Sequence, residues 1–494
     1  MPASLPPCPQ FEENVDQPLR ALAAQVGSLL KSSTNGARRL ARACVPLDES
    51  VDPISWMQAQ DAQEHVYWST RSPDSPASTP DGAHPEAAGP SVVAAVGEAD
   101  VLDGNDHPVD YGRLHRRLQE RFRHADAGVR YFGGLRFDAP DARPSRHPES
   151  AWAPFGTYRF VLPRFEVLTV ADRQVLVCNL VLPRDADRSA AVLDALRSLR
   201  LPSTTSTGPL PGPVHRADRP DQEGWTAMVR WALGAIAAGR LDKVVFARKV
   251  ALGLDRRADP LRVLSHLKAT TPGCFHFAFG PPTGPTFVGA SPERLVRRNG
   301  REVLSEAVAG TRERGGTPAA DAALREELLT SAKERREHAF VQRAILRALD
   351  PLCRTLDGAD APAELALARG RHLHAPIRGT LRPDTTTTDL IEALHPTPAV
   401  GGVPADAALA AIREQEPFDR GWYAGPVGWV GPDAADFAVA IRSGLLAPTT
   451  LSLFSGAGIV EGSVPEREWA EIEQKIGDFA AVLGLLDPHD GAQP

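Results

Sequence analysis

The chain has 494 residues, of which 42% are hydrophobic and 24% are charged, a balance typical of soluble globular proteins. Its formal net charge of −7 argues against nucleic-acid binding, which requires a basic surface. The five cysteines include no C-x-x-C pair, the N-terminus lacks a secretory signal and no run of about 18 apolar residues occurs, so we expect a soluble, cytoplasmic protein with no disulfide framework and no membrane partner.

The first part of the chain predicts a mixed arrangement of strands and helices. Residues 1–45 form an N-terminal extension that we expect to be partly helical, and residues 46–222 form an α+β region. Two segments rich in Pro, Ser, Thr and Gly, residues 69–91 and 201–222, predict flexible loops. The strands cluster instead of alternating with helices, which favours an α+β fold over a doubly wound parallel sheet. The predicted strands are HVYWST, SVVAAVGEA, VRYFGGLRFD, TYRFVLPRFEVLTV and RQVLVCNLVLP, and the predicted helices are DYGRLHRRLQERFRHA and SAAVLDALRSLR.

Residues 223–486 form the second predicted region, and residues 487–494 are a tail. A helical stretch begins at Thr317, with Pro318 at its first position, and runs with a break to about Leu352. A last helix starts near Pro465, where Ser463 and Glu466 match a capping box. The region also contains the helix EGWTAMVRWALGAIAAG and the strands KVVFARKVALGL, FHFAFG, TFVGASPERLVRR, REVLSEAVAGTR, GWYAGPVGWVG, DFAVAIRSGLL and TLSLFSGAGIV.

Two glutamate pairs are candidates for metal binding. Glu334 and Glu337 share one helix face, and Glu468 and Glu471 share another, because each pair has a spacing of i and i+3. Both pairs lie next to apolar stripes, and carboxylates near buried surface need a cation. Oxygen ligands without cysteine suit Mg²⁺. The same spacing also fits a solvated face that pairs with Arg and Lys.

A lysine and a glutamate at strand positions are candidate acid–base groups. Lys243 shares a strand face with Val245 and Ala247, where partial burial would lower the pKa of its amine so that it could act as a base. Glu293 follows a Ser-Pro turn and, if buried, could stay protonated and act as a general acid. The structural alternatives are a solvated lysine at a strand end and, for Glu293, an ion pair with Arg294 or with a neighbouring strand.

Arg442 is a charge inside an otherwise apolar predicted strand, which points either to an anionic ligand or to a structural salt bridge. The segments SGAGIV (Ser455 to Val460) and AVAGT (Ala307 to Thr311) predict glycine turns at strand ends, whose N–H groups could hold a carboxylate.

Together and in this order, segments between about Trp225 and Leu485 resemble the chorismate-binding enzyme family. The matching segments are KVVFAR, FVGASPERL, EAVAGTRERGG, KERREH, LHPTPAVGG, PFDRGWYAGPVGW, AIRSGLL, SGAGIV and EREWAEIEQK. The resemblance implies a large α/β sandwich of mostly antiparallel sheets with flanking helices, and it makes residues 223–486 the chorismate-binding catalytic domain.

The resemblance also implies a branch of the family. Isochorismate and salicylate synthases carry the lysine that is Lys243 here, whereas anthranilate synthases have another residue and use a glutaminase subunit. The D-L-x-R-N-D stretch of that aminating branch is replaced by AFVQRAI. We therefore expect an isochorismate synthase with chorismate as substrate, Mg²⁺ as cofactor, no glutaminase partner and a monomeric state. Salicylate synthase and a non-catalytic chorismate-binding paralogue are the alternatives, and both menaquinone and siderophore biosynthesis stay open.

The implied site follows the family motifs residue by residue. Lys243 would activate water and Glu293 would protonate the leaving hydroxyl. Glu337 and Glu471 would bind Mg²⁺ directly, with Glu334 and Glu468 acting through water. The residues expected to contact the substrate or line its pocket are Gly310, Thr311, His395, Tyr423, Arg442, Gly456, Ala457, Gly458 and Lys475.

Overall fold

A computed structural model describes residues 17–32, 38–71, 89–106, 108–138, 151–170, 173–202, 210–368 and 370–483. Most of the predicted 69–91 loop, part of the 201–222 loop, residues 1–16 and the 487–494 tail lie outside these ranges. None of the helices within the described ranges is long and apolar enough to cross a membrane.

Helices cover the edges and faces of the structure. The described residues form α1 Gln17–Ser32, α2 Pro53–Gln58, α3 Tyr111–Phe122, α4 Arg184–Asp187, α5 Ser189–Arg197, α6 Gln222–Ala237, α7 Pro260–Thr270, α8 Pro318–Thr330, α9 Ala332–Leu349, α10 Thr387–Leu394, α11 Ala405–Gln415 and α12 Pro465–Val482.

Strands make up the interior. The described residues form β1 Arg39–Pro46, β2 His65–Ser69, β3 Val92–Gly104, β4 Tyr131–Leu135, β5 Tyr158–Val170, β6 Arg173–Leu182, β7 Pro213–Arg219, β8 Lys243–Leu254, β9 Phe275–Gly280, β10 Thr286–Ser291, β11 Arg294–Asn299, β12 Glu302–Glu313, β13 Cys353–Gly358, β14 Ala363–Ala366, β15 Gly370–Leu381, β16 Gly402–Val403, β17 Pro426–Val430, β18 Ala434–Val439, β19 Ser443–Ala447 and β20 Thr450–Ile459.

The strands pair antiparallel in one extended network, so the predicted α+β fold with mostly antiparallel sheets is confirmed. Strands from the two predicted regions pair directly, because β2 lies between β3 and β9 and β4 pairs with β17. The hydrogen-bonded sheet therefore continues across the boundary that the sequence predicted near residue 222.

Buried aromatic rings fill the space between the strands and their connections. Trp152 contacts Phe155 and Phe287 edge to face, and Trp422 does the same with Phe155. Such pairs add about 0.5–1.5 kcal/mol each beyond the burial of their area. This packing fixes the segment around Trp422, whose neighbour Tyr423 lines the site described below.

Two predicted strands are each divided by a short link. TFVGASPERLVRR separates into β10 and β11, with Pro292 and Glu293 between them. DFAVAIRSGLL separates into β18 and β19, and Arg442 lies in the link instead of inside a strand. In both places a polar residue takes the position where the ladder of backbone hydrogen bonds is interrupted.

Other local predictions were also wrong. The two predicted glycine turns lie inside β12 and β20. Pro213–Arg219, inside the predicted 201–222 loop, is a strand because it pairs with the edge of β8. Helix α12 begins at Pro465 as predicted, but its N-cap is Val464 without a side-chain bond. Ser463 instead accepts a hydrogen bond from the backbone N–H of Val460, so no capping box forms.

Candidate active site

A cavity of about 570 Å³ opens between β8, β12 and β20 on one side and helices α9 and α12 on the other. This volume lies within the range of small-molecule sites. Most of the residues predicted for the site line it, although they come from distant parts of the chain. The lining includes Lys243, Glu293, Gly310, Thr311, Glu334, Glu337, Tyr423, Arg442, Gly456, Gly458, Glu468, Glu471 and Lys475.

Lys243 stands at the start of β8 and is only 6% exposed. Strand alternation places it on the cavity side together with Val245 and Ala247, as predicted. Its Nζ donates to Glu337 Oε1 at 2.9 Å. A Cβ on Gly458 would lie 2.9 Å from Lys243 Cε, so the absence of a side chain at Gly458 gives the lysine its space.

Glu293 occupies the link between β10 and β11 and is 4% exposed. Burial and, to a smaller extent, the charge of Glu306 raise the pKa of its carboxyl to about 8 against the opposing charge of Lys243. The alternative, an ion pair with Arg294, does not form, because Arg294 bonds to Glu306 and Asp436 instead. Glu293 is therefore a carboxyl that holds its proton at neutral pH beside the cavity.

Arg442 has a left-handed backbone conformation with φ of 51°. A non-glycine residue costs roughly 1–2 kcal/mol in that region, which marks a position held by its surroundings. The backbone N–H of the preceding residue, Ile441, bonds to Val439 O at 2.7 Å, and this tight turn directs the chain into the cavity wall. The ion pairs and hydrogen bonds of the described residues include none for the guanidinium, so the structure does not support the salt-bridge alternative and leaves an anionic ligand as the other one.

The four glutamates on α9 and α12 line the same cavity, and three of them pair with cationic side chains. Glu334 accepts from Arg312 at 3.0 Å, and Glu471 lies 2.6 Å from Lys475, while Glu337 pairs with Lys243. Burial raises the pKa of the remaining carboxyl, Glu468.

No three His, Cys, Asp or Glu side chains converge on one point in the part of the chain that the structure describes. The donors nevertheless fit Mg²⁺ chemically, because they are carboxylates from two helices that line one cavity, and oxygen ligands of this kind are the ones that Mg²⁺ prefers.

Lys475 and Tyr423 complete the polar wall. Lys475 donates to Gly456 O at 3.1 Å, so that carbonyl already has a partner. Tyr423 is buried, stacks on Phe454 with ring centroids 5.1 Å apart and has a pKa raised by burial to about 12. It therefore offers a neutral hydroxyl donor to the cavity.

His372 lines the cavity and was missed from the sequence, because β15 was not predicted. Its Nδ1 lies 2.9 Å from Gly310 O and 3.2 Å from Thr311 Oγ1. Burial lowers the pKa of His372 to about 4, with Arg442 adding to the effect. The neutral ring donates from Nδ1 to the Gly310 carbonyl, which leaves Nε2 as an acceptor. The His-x-His pattern of His372 and His374, which puts both rings on one strand face, was the available signal.

Gly310 and Gly458 lie where a larger residue would collide with a side chain of the site. Gly310 has φ of 70° at a β-bulge in β12, and a Cβ there would lie 2.9 Å from Glu334 Oε2. Glycine thus allows a helix carboxylate to approach the strand backbone closely.

Two of the predicted site residues do not line the cavity. His395 is turned away, because its Nε2 bonds to Phe137 O at 2.8 Å and its ring packs edge to face on Phe137. Ala457 lies between Gly456 and Gly458 on β20, so strand alternation turns its side chain to the opposite face, where it is buried.

Comparisons with known proteins show which family the chain belongs to. A family model described as chorismate binding enzyme matches residues 25–484. The chain is 39% identical over 362 residues to the salicylate biosynthesis isochorismate synthase of Pseudomonas aeruginosa, covering 72% of this chain and 75% of the relative. It is 36% identical over 376 residues to isochorismate synthase MenF of Bacillus subtilis, covering 75% and 78%. The solved structure of MenF, the menaquinone-specific isochorismate synthase from Escherichia coli, is similar with a TM-score of 0.78 and 27% identity over 94% of this chain and 100% of that one.

Proposed function

The chain belongs to the chorismate-binding enzyme family, and we propose that it is an isochorismate synthase. The reaction would add water at C2 of chorismate and expel the C4 hydroxyl, which makes the enzyme an isomerase that transfers a hydroxyl within one molecule. The observation that carries the proposal is that Lys243 and a protonated Glu293 line one cavity with an unpaired Arg442. The names of the relatives described above support the same reaction.

The acid–base roles are those that the family resemblance implies for Lys243 and Glu293. Lys243, once neutral and released from Glu337, takes a proton from water as the water oxygen bonds to C2. Both ring double bonds shift, the C4–O bond breaks, and Glu293 donates its proton to the departing C4 hydroxyl. Positioned groups of this kind contribute about 10²–10⁴-fold each to rate. In the reverse direction the two groups exchange roles.

The remaining cavity residues would bind a dianion in an acidic protein. Arg442 would bind one carboxylate through its planar guanidinium, while Lys475 and Tyr423 would donate to the other. Glu337 and Glu471 would hold Mg²⁺ directly, with Glu334 and Glu468 acting through water. The bound ion would supply positive charge for the ring carboxylate.

The test is product identification by chromatography after incubating the purified protein with chorismate and Mg²⁺. Isochorismate alone is the expected product. Salicylate with pyruvate would establish a salicylate synthase instead, and anthranilate formed only with added ammonia would establish an aminating synthase. Binding of chorismate without turnover would make the chain a non-catalytic paralogue.

A further inference from the structure

A buried charge cluster lies behind the link that carries Glu293. Arg71 and Arg294 both bond to the carboxylate of Glu306, and Arg294 also bonds to Asp436 at 3.0 Å. The two guanidinium groups lie over the Phe275 ring, at 5.3 Å and 4.9 Å from its centroid. Two arginines and two carboxylates balance in charge, as burial requires.

Arg71 connects this charge cluster to the link that carries Glu293, the proposed general acid. It follows β2, in the N-terminal half of the chain, and its Nη1 donates to Pro292 O at 3.0 Å. Pro292 directly precedes Glu293, whose own carbonyl accepts from Val439 N at 3.0 Å. The peptide groups on both sides of Glu293 are therefore fixed, one of them by a residue far away in sequence.

Glu306 is the second link between the cluster and the acid. Burial raises its pKa, but Arg294 and Arg71 outweigh burial and hold it well below the usual range, so Glu306 is ionised. Its negative charge acts on Glu293 from β12, and Lys243, paired with Glu337, acts on Glu293 from β8. His374 lies 3.6 Å from Glu306 on β15, and Arg442 lines the same cavity.

We propose that Arg71 and Glu306 are positioning residues for Glu293: the Arg71 guanidinium bridges Pro292 O and the Glu306 carboxylate, so it fixes the Pro292–Glu293 link and holds an ionised carboxylate next to that link. The inference rests on the proposed function, in which Glu293 is the general acid. The N-terminal half of the chain thereby contributes to catalysis through Arg71, which does not line the cavity. Misplacement of a reacting group by about 1 Å costs about 10²-fold in rate.

The first test compares Arg71→Met and Arg71→Lys with a matched control, Arg164→Met. Arg164 is also a largely buried arginine that bonds one carboxylate, Asp185, and one backbone carbonyl, Asn179 O, but it lies away from the cavity. Arg71→Met should lower kcat about 10–100-fold with little change in KM, and Arg71→Lys should recover part of the loss, because lysine can keep one of the two contacts. Equal kcat per folded molecule in Arg71→Met and Arg164→Met would overturn the positioning role.

The second test measures activity as a function of pH in other variants, so it can be carried out even if Arg71→Met fails to fold. Glu306→Gln keeps the shape of the side chain but removes its negative charge, so the pKa of Glu293 should fall. The alkaline limb of the pH–activity profile, where activity is lost as Glu293 ionises, should therefore move to lower pH. Asp436→Asn removes a buried charge from the same cluster, but Asp436 bonds Arg294 on the side away from Glu306. It should leave the alkaline limb in place. An unmoved limb in Glu306→Gln, or an equal shift in both variants, would overturn the electrostatic role.

A third readout is independent of the product. The infrared band of a protonated carboxyl that disappears in Glu293→Gln reports the titration of Glu293 without turnover. If the wild type forms no isochorismate but this band titrates at lower pH in Glu306→Gln, the proposed function fails while the positioning role stands. If isochorismate forms but the band titrates alike in both proteins, the electrostatic role of Glu306 fails while the proposed function stands.

Discussion

Lys243 Nζ lies 2.9 Å from Glu337 Oε1, so the proposed base and a proposed metal ligand form an ion pair across the cavity. The contact joins the first residue of β8 to the second turn of α9. Among other effects, Lys243 lowers the pKa of Glu337 against the opposing effect of burial. The two functional groups are therefore coupled before any ligand binds, and a change at either one alters the charge of the other.

Removal of the Lys243 amine should abolish turnover without unfolding the protein. Lys243→Met should lower kcat about 10²–10⁴-fold, the range for loss of a positioned acid–base group. Lys249→Met is the control, because Lys249 lies on the same strand but does not line the cavity. Chromatographic assays with circular dichroism give the comparison, and wild-type rates in Lys243→Met would refute the assigned role.

Loss of the Arg442 guanidinium should weaken chorismate binding. A charge-assisted hydrogen bond contributes about 1.5–3 kcal/mol, so Arg442→Met should raise KM about 10–100-fold. Arg442→Lys keeps the positive charge but not the planar guanidinium, so its KM should lie between those of the wild type and Arg442→Met. Steady-state kinetics measure the effect, and an unchanged KM in Arg442→Met would mean that the carboxylate binds elsewhere.

The stability of the protein should depend on pH through Glu293. Because the folded-state pKa is raised from 4.5 to about 8, the unfolded chain ionises first as pH rises. The free energy of unfolding, relative to Glu293→Gln, should therefore fall between these two pH values, by at most about 5 kcal/mol, and stay level above them. Urea unfolding of both proteins below, within and above this window provides the measurement. Parallel pH curves for the two proteins would show that Glu293 titrates normally.

Mg²⁺ binding should require the inward carboxylates of α12. The ion should raise the melting temperature of the wild type by mass action, and a chelator should remove both this shift and the activity. Glu471→Gln should lose most of the shift, whereas Glu466→Gln should keep it, because Glu466 is on the same helix but does not line the cavity. Calorimetric titration with MgCl₂ alone separates binding from catalysis. The role of Glu471 as a ligand fails if its variant titrates like the wild type.

Periodicity identified long elements but not the places where they are interrupted. β8 spans Lys243–Leu254, as the alternation in KVVFARKVALGL predicted. The link at Arg442 was missed because an apolar run continues across it, and only the positive φ of that residue reveals the turn. His395 was misplaced for a similar reason, since its bond to Phe137 O connects segments far apart in sequence.

The sequence by itself determined the α+β class, the family resemblance and most of the residues that meet in the cavity, because residue type, strand alternation and helix spacing are local properties. Only the tertiary structure decided which partners those residues have. The pairing of Lys243 with Glu337, the unpaired state of Arg442 and the contact of Arg71 with Pro292 O depend on strands and helices that approach one another from distant parts of the chain. Burial and charge balance, which set the protonation of Glu293, arise only from that packing.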